Sequence, residues 1–183
     1  MELLRDHLDQ LVASSSVIKL WRCDIDSEDP FTGVILDYDG SFFVFGFVND
    51  DDGTTDGISV MRTGDVTSIE SGGNMLSSIE KLMADEKAAF NKKEIDLSSI
   101  KNAIKSVQDN YGYVAIHSEY SSEGYFIGTV DKIDDQYVLL NKYGSMSALD
   151  RGKVLLPLQD ISRVDADARY EKSIVKLVTT HNK

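Results

Sequence analysis

The sequence predicts a mainly β protein with accompanying helices, built as two tandem copies of one small unit, a helix followed by a five-stranded barrel. Three observations carry that expectation. Residues of similar type recur at an offset of 95, two helical segments share one amphipathic spacing, and ten short apolar segments are separated by tight polar turns.

The repeat is the strongest of the three. Glu28 maps onto Glu123, Phe31 onto Phe126, Gly33 onto Gly128, Asp39 onto Asp134, Gly57 onto Gly152 and Asp65 onto Asp160. Residue type is kept between them: Phe42 with Tyr137, Val44 with Leu139, Val60 with Leu155, Val66 with Ile161, Ile69 with Val164, and Ile79 and Leu82 with Ile174 and Leu177. No gap is needed from Glu28 to Leu82, so a tandem duplication is the expected origin.

Each copy opens with a helix. Leu4, Leu8 and Leu11 stand opposite Ile100, Ile104 and Val107 at an offset of 96, and both sets follow the i, i+4, i+7 spacing of one helical face. The first helix runs from about Glu2 to Ala13 and stops at Ser14-Ser15-Ser16; Asp96 is the expected N-cap of the second. Five strands follow in the first copy: Val17 to Cys23, Phe31 to Tyr38, Phe42 to Val48, Ile58 to Arg62 and Val66 to Ile69. Asp39-Gly40 reads as a tight turn, and Asn49 to Gly57 as a polar loop. Their counterparts are Tyr113 to His117, Tyr125 to Ile133, Tyr137 to Lys142, Lys153 to Leu158 and Ile161 to Val164. Such strand counts point to a small closed or nearly closed barrel, in which Gly33 and Gly128 permit a sharp bend or a close backbone approach. A helical pattern ends each copy, with Met75, Ile79, Leu82 and Met83 on one face in the first and Ile174 and Leu177 in the second. The expected organisation is a unit at 1–83, a helical linker at 84–95 and a second unit at 96–183.

These residues resemble the Sm-like barrel family. Gly-x-x-x-x-x-Asp spans the second strand and the turn after it, as Gly33-Val34-Ile35-Leu36-Asp37-Tyr38-Asp39 and as Gly128-Thr129-Val130-Asp131-Lys132-Ile133-Asp134. Ile58 to Ile69 and Val154 to Val164 stand where the family's second motif lies. The resemblance covers most of the chain as two copies, and an SH3-like or PRC-barrel-like barrel carries nearly the same pattern. It implies two Sm-like (SH3-like) five-stranded barrels, each preceded by a helix, and edge-to-edge joining through the last strands. The RNA-binding members use an Asn after the third-strand apolar pair and an Arg-Gly pair in the second motif. Phe43 and Val138 occupy the first place, and Arg62-Thr63-Gly64 and Pro157-Leu158-Gln159 the second, so base stacking of that kind is not implied.

Charge and composition bound the function. The 183 residues carry a formal net charge of −12, with 19 acidic and 8 basic side chains in residues 1–95 and 12 acidic and 11 basic in 96–183. An acidic first half repels phosphate backbones, which argues against nucleic acid as a partner there. No apolar run approaches the length of a membrane span, and the first residues lack a basic stretch followed by an apolar one, so no membrane contact and a cytoplasmic address are expected. Cys23 is the only cysteine, which excludes an internal disulfide and a cysteine zinc cluster.

Candidate chemistry is sparse. His7, His117 and His181 have no metal-ligand spacing, and Cys23 has only Arg22 beside it as a base. With Gly53 at the sixth place of a calcium loop, Val48 and Ser59 fall where oxygen ligands belong, so Asp50-Asp51-Asp52 reads as a solvated hairpin loop. Asp24, Asp26, Glu28 and Asp29 form an acidic patch that a basic partner could meet. The paired Asp39 and Asp134 belong to different copies, and no serine elbow, phosphate loop or dinucleotide glycine fingerprint occurs. The expectation is no catalytic, metal or cofactor site, and a non-enzymatic interaction or assembly module acting on an unnamed protein or on itself. The alternative is an RNA- or nucleotide-binding regulator using the second copy, with Lys132, Lys142, Arg151, Lys153, Arg163 and Arg169 as its basic surface. Tyr111, Tyr113, Tyr120 and Tyr125 would be its stacking residues.

Overall fold

The computed structural model describes residues 2–22, 30–85, 90, 93–119, 124–144 and 151–180. Two compact units divide the chain, Met1–Lys93 and Glu94–Lys183. The first opens with α1 (Glu2–Ser14), followed by β1 (Ile18–Arg22), β2 (Phe31–Asp39), β3 (Phe42–Val48), β4 (Thr55–Arg62), β5 (Val66–Ser71) and α2 (Gly73–Leu82). The second holds α3 (Ile100–Tyr111), β6 (Val114–Ser118), β7 (Tyr125–Ile133), β8 (Tyr137–Lys142), β9 (Gly152–Pro157), β10 (Ile161–Ala166) and α4 (Arg169–Thr180).

Alternation along the strands decides what each sheet face meets. In the first unit Ile35, Phe43 and Phe45 turn toward Leu8 and Leu11 of α1, while Val34 and Val48 turn toward Leu76 and Ile79 of α2. The sheet is thus covered on both faces, which is why β3 is apolar nearly throughout. In the second unit Ala115 and Ile127 pack against Ile174 and Val178 of α4. Ala103, Ile104 and Val107 are the buried residues of α3.

The strand order is β5-β1-β2-β3-β4 in the first unit and β10-β6-β7-β8-β9 in the second, so the fifth strand lies beside the first in both. Registers match as well. Gly33 stands opposite Phe47 and Gly128 opposite Lys142, and the ladder skips one residue after Ile35 and again after Val130, 95 places on. Ile18 opposite Gly33 becomes Val114 opposite Gly128, which reproduces the offset of 96 for the leading helix and first strand. Both glycines have one physical reason: a Cβ at Gly33 would overlap the Gly46 carbonyl oxygen, and one at Gly128 that of Asn141. A one-turn 3-10 helix joins the fourth strand to the fifth in both units, at Thr63–Asp65 and Leu158–Asp160.

Four expectations are corrected. Neither sheet closes into a barrel: among the described residues no ladder joins β4 to β5 or β9 to β10. Helices cover both faces of the first sheet, so its apolar residues are buried without closure. The described part of the linker is not an α-helix; Met83–Asp85 is a 3-10 turn, and residues 93–99 are irregular, with Ile95 and Leu97 buried. Asp96 does not cap α3. Its carboxylate accepts from the Ser98 amide (3.0 Å), while the Ser99 hydroxyl accepts from the Asn102 amide (3.1 Å) and is the true cap. In α2 the packed face is Leu76, Ile79 and the following Met83, whereas Met75 and Leu82 are exposed.

Candidate functional site

Two groupings of polar side chains stand out in the second unit. The first gathers around Glu171, in the first turn of α4. Its carboxylate is buried, at 2% exposure, and accepts from the hydroxyls of Tyr113 (3.3 Å) and Tyr125 (3.0 Å) and from the Ala168 amide (3.0 Å). The last contact is one half of a capping box, in which a carboxylate at the third helical residue reaches back to the amide before the helix. Tyr113 in turn accepts from the Asp167 amide (2.9 Å), so its hydroxyl pins the turn that leads into α4.

Beside this sits an ion cluster from β6 and β10. Asp165 Oδ2 lies 3.1 Å from Arg163 Nε and 2.9 Å from His117 Nε2, and His117 Nε2 is also 2.7 Å from an Arg163 terminal nitrogen. The His117 ring rests against Tyr125, with centroids 4.3 Å apart, and joins the two halves. Burial, then the neighbouring Asp165, push the Glu171 carboxyl up to about 7, against the pull of its three donors. Burial, then the Glu171 charge, hold the Tyr113 and Tyr125 hydroxyls well above their ordinary range. No nucleophile placed for attack accompanies His117 among the described residues; the nearby Ser162 hydroxyl bonds the His117 backbone carbonyl at 3.5 Å.

The second grouping is a hollow of about 480 Å³ between the end of β8, the start of β9 and the last turn of α4. Lys142, Tyr143, Arg151, Lys153, Val178 and Thr179 line it. Arg151 donates to the Val178 carbonyl (3.3 Å), and Lys153 pairs with Asp131 (2.7 Å), holding that carboxyl below its usual range. Three of the six basic residues singled out in the sequence therefore meet here. Arg163 belongs instead to the His117 cluster, and Arg169 opens α4. Of the expected stacking residues, Tyr113 is buried and Tyr125 is held by Glu171; Tyr120 lies outside the described residues.

The remaining residues fall elsewhere. His7 lines a hollow of about 630 Å³ between α1 and β5, with Leu4, Val66 and Ile69. Asn49 to Thr54 form a hydrogen-bonded turn in which Asn49 and Asp52 side chains accept from the Asp51 and Thr54 amides. Asp134 does the same for Gln136 and Tyr137, which lowers its pKa. Phe43 and Val138, which stand where the resemblance would place an asparagine, are fully buried. Cys23, Asp24, Asp26, Glu28, Asp29 and His181 lie outside the described residues. Among the described residues no three side chains of metal-ligating type converge, and no helix is long and apolar enough to cross a membrane. Glu171 carried no sequence signal except its place three residues after Ala168, at the start of an amphipathic run. No family model, curated protein or solved structure matches the chain.

Proposed function

We propose that the protein is a non-enzymatic interaction module, an internal duplication of an Sm-like or SH3-like unit that engages a protein partner through a sheet edge. The observation that supports this reading is β9. Among the described residues it pairs within its unit only with β8, and its exposed Leu155 sits opposite Leu139 beside exposed Tyr137. An edge strand with apolar side chains facing water is a template for an added strand. Lys153 and Pro157 in the same strand limit indiscriminate pairing, as edge strands require. The acidic turn Asp50-Asp51-Asp52 offers a second contact, to a basic partner.

A nuclease-treated pull-down from native extract tests this reading, with wild type beside Leu155→Asp. A protein retained by wild type and lost by the variant is expected. Equal recovery of the same protein by both would remove β9 as the contact.

The hollow lined by Lys142, Arg151 and Lys153 favours the second reading, an RNA- or nucleotide-binding regulator. Three cations around a concave surface suit an anionic group, and their contribution is largest at low salt. A fluorescent oligonucleotide titrated at low ionic strength separates the readings. Binding abolished by Arg151→Glu would favour this one, and no binding would eliminate it.

A further inference from the structure

We propose that Glu171 is a proton-operated latch that holds the first turn of α4 on the sheet of the second unit, tight when the carboxyl is protonated and loose when it is ionised. The geometry supplies the reason. The carboxyl is 2% exposed, and it joins α4 to three other places at once: Tyr113 before β6, Tyr125 on β7 and the turn at Ala168. A second carboxylate, Asp165 on β10, occupies the same buried region at 6% exposure. Two negative charges in such a space repel each other with little solvent between them.

The groups facing Glu171 determine the sign. Arg163 stands against Asp165 at 3.1 Å and offsets part of its charge, His117 lies 2.9 Å from the same oxygen, and neither makes a contact within salt-bridge distance of Glu171 among those described. Asp167 lies on the turn and is paired with Lys172 of α4 at 2.9 Å. Tyr170 of α4 packs near Tyr125, with centroids 6.4 Å apart. The three hydrogen-bond donors favour the ionised form, but burial and Asp165 outweigh them. The protonated carboxyl can donate to Tyr125 Oη across the same 3.0 Å, so docking needs no rearrangement of heavy atoms. Undocking exposes Glu171 to water, where it ionises readily. Docking therefore binds a proton, and a rise in pH opposes it. Val178 and Thr179, at the far end of α4, line the basic hollow, so the latch also governs one wall of that site.

Amide hydrogen exchange of the intact protein tests the latch. After correction for intrinsic rates, protection of the α4 amides is expected to fall about 30-fold between pH 5.5 and 8.5. Glu171→Gln, which keeps the shape and cannot titrate, should give a flat profile. A flat wild-type profile, or the same slope in both proteins, would overturn the proposal. Should Glu171→Gln fail to fold, the carboxyl-carbon NMR shift of Glu171 in wild type gives the answer directly. A midpoint near neutrality supports the latch, and one at or below 4.5 ends it.

Discussion

Gly33 and Gly128 leave no space for a side chain because the neighbouring strand's carbonyl oxygen occupies it. The obstacle is backbone, which cannot swing aside as a side-chain tip can. Gly128→Ala should therefore destabilise the second unit by about 1–3 kcal/mol, the usual cost of forcing extra atoms into packed structure. Gly152→Ala is the matched control. Among the described residues a Cβ there meets only the flexible Lys142 Cε, at 3.4 Å, and the change should stay within about 0.5 kcal/mol. Urea denaturation of the two variants checks both values; equal effects would mean that the β7–β8 contact is not the constraint. Both glycines were legible in the sequence, because a glycine inside a strand, recurring at the same offset of 95 as its apolar neighbours, points to a close backbone approach. Glu171 was not. As one acid in a helix with Arg169, Lys172 and Lys176 around it, it reads as a solvated residue, and only tertiary packing against Tyr113 and Tyr125 buries it.

At the scale of single elements, the sequence predicts β3, β7 and β8 with their observed ends, since each is bounded by a turn with its own chemistry. Boundaries fail where side chains compete for one role. Asp96 and Ser99 are both good caps by type, and the helix begins at Ile100 with Ala103, Ile104 and Val107 buried, which makes Ser99 the residue that reaches the Asn102 amide. Ser99→Ala should accordingly cost about 1 kcal/mol, by loss of the cap. Asp96→Ala should cost less, since its hydrogen bonds close only an exposed turn and the carboxylate keeps full access to water. Thermal melts of the two variants distinguish them, and a larger shift for Asp96→Ala would reverse the assignment. The packed face of α2 departs from its sequence pattern for a related reason. Met75 and Leu76 are both apolar and adjacent, and only contact with Val17, Val34 and Val48 selects Leu76.

Across the molecule, the recurrence of similar residues at an offset of 95 follows strand register. The ladder skips a residue after Ile35 and after Val130, and a 3-10 turn follows the fourth strand of each unit, so both units require the same spacing of side chains. Sheet closure was not legible, since it depends on what covers the faces, and strand counts say nothing of that. Charge is the property the two units do not share. Residues 1–93 hold 18 acidic and 8 basic side chains, and residues 94–183 hold 13 and 11. Like charges repel within the compact first unit more than within its unfolded chain, and salt screens them, with a Debye length of about 10 Å at 0.1 M falling to about 3 Å at 1 M. Trp21, the only tryptophan, lies on β1 between β2 and β5 and reports the unfolding of that unit. Urea, being uncharged, leaves ionic strength under separate control. The Trp21 fluorescence midpoint in urea should therefore move to higher denaturant as sodium chloride rises from about 20 mM to about 0.5 M, by screening of self-repulsion. The ion pairs Lys19–Asp50 and Arg22–Asp65 oppose that shift, because salt weakens attraction too. An excess of ten negative charges should outweigh these pairs, of which Arg22–Asp65 is largely buried and little screened. A midpoint that falls with salt would mean that the acidic side chains of the first unit are placed to attract more than they repel.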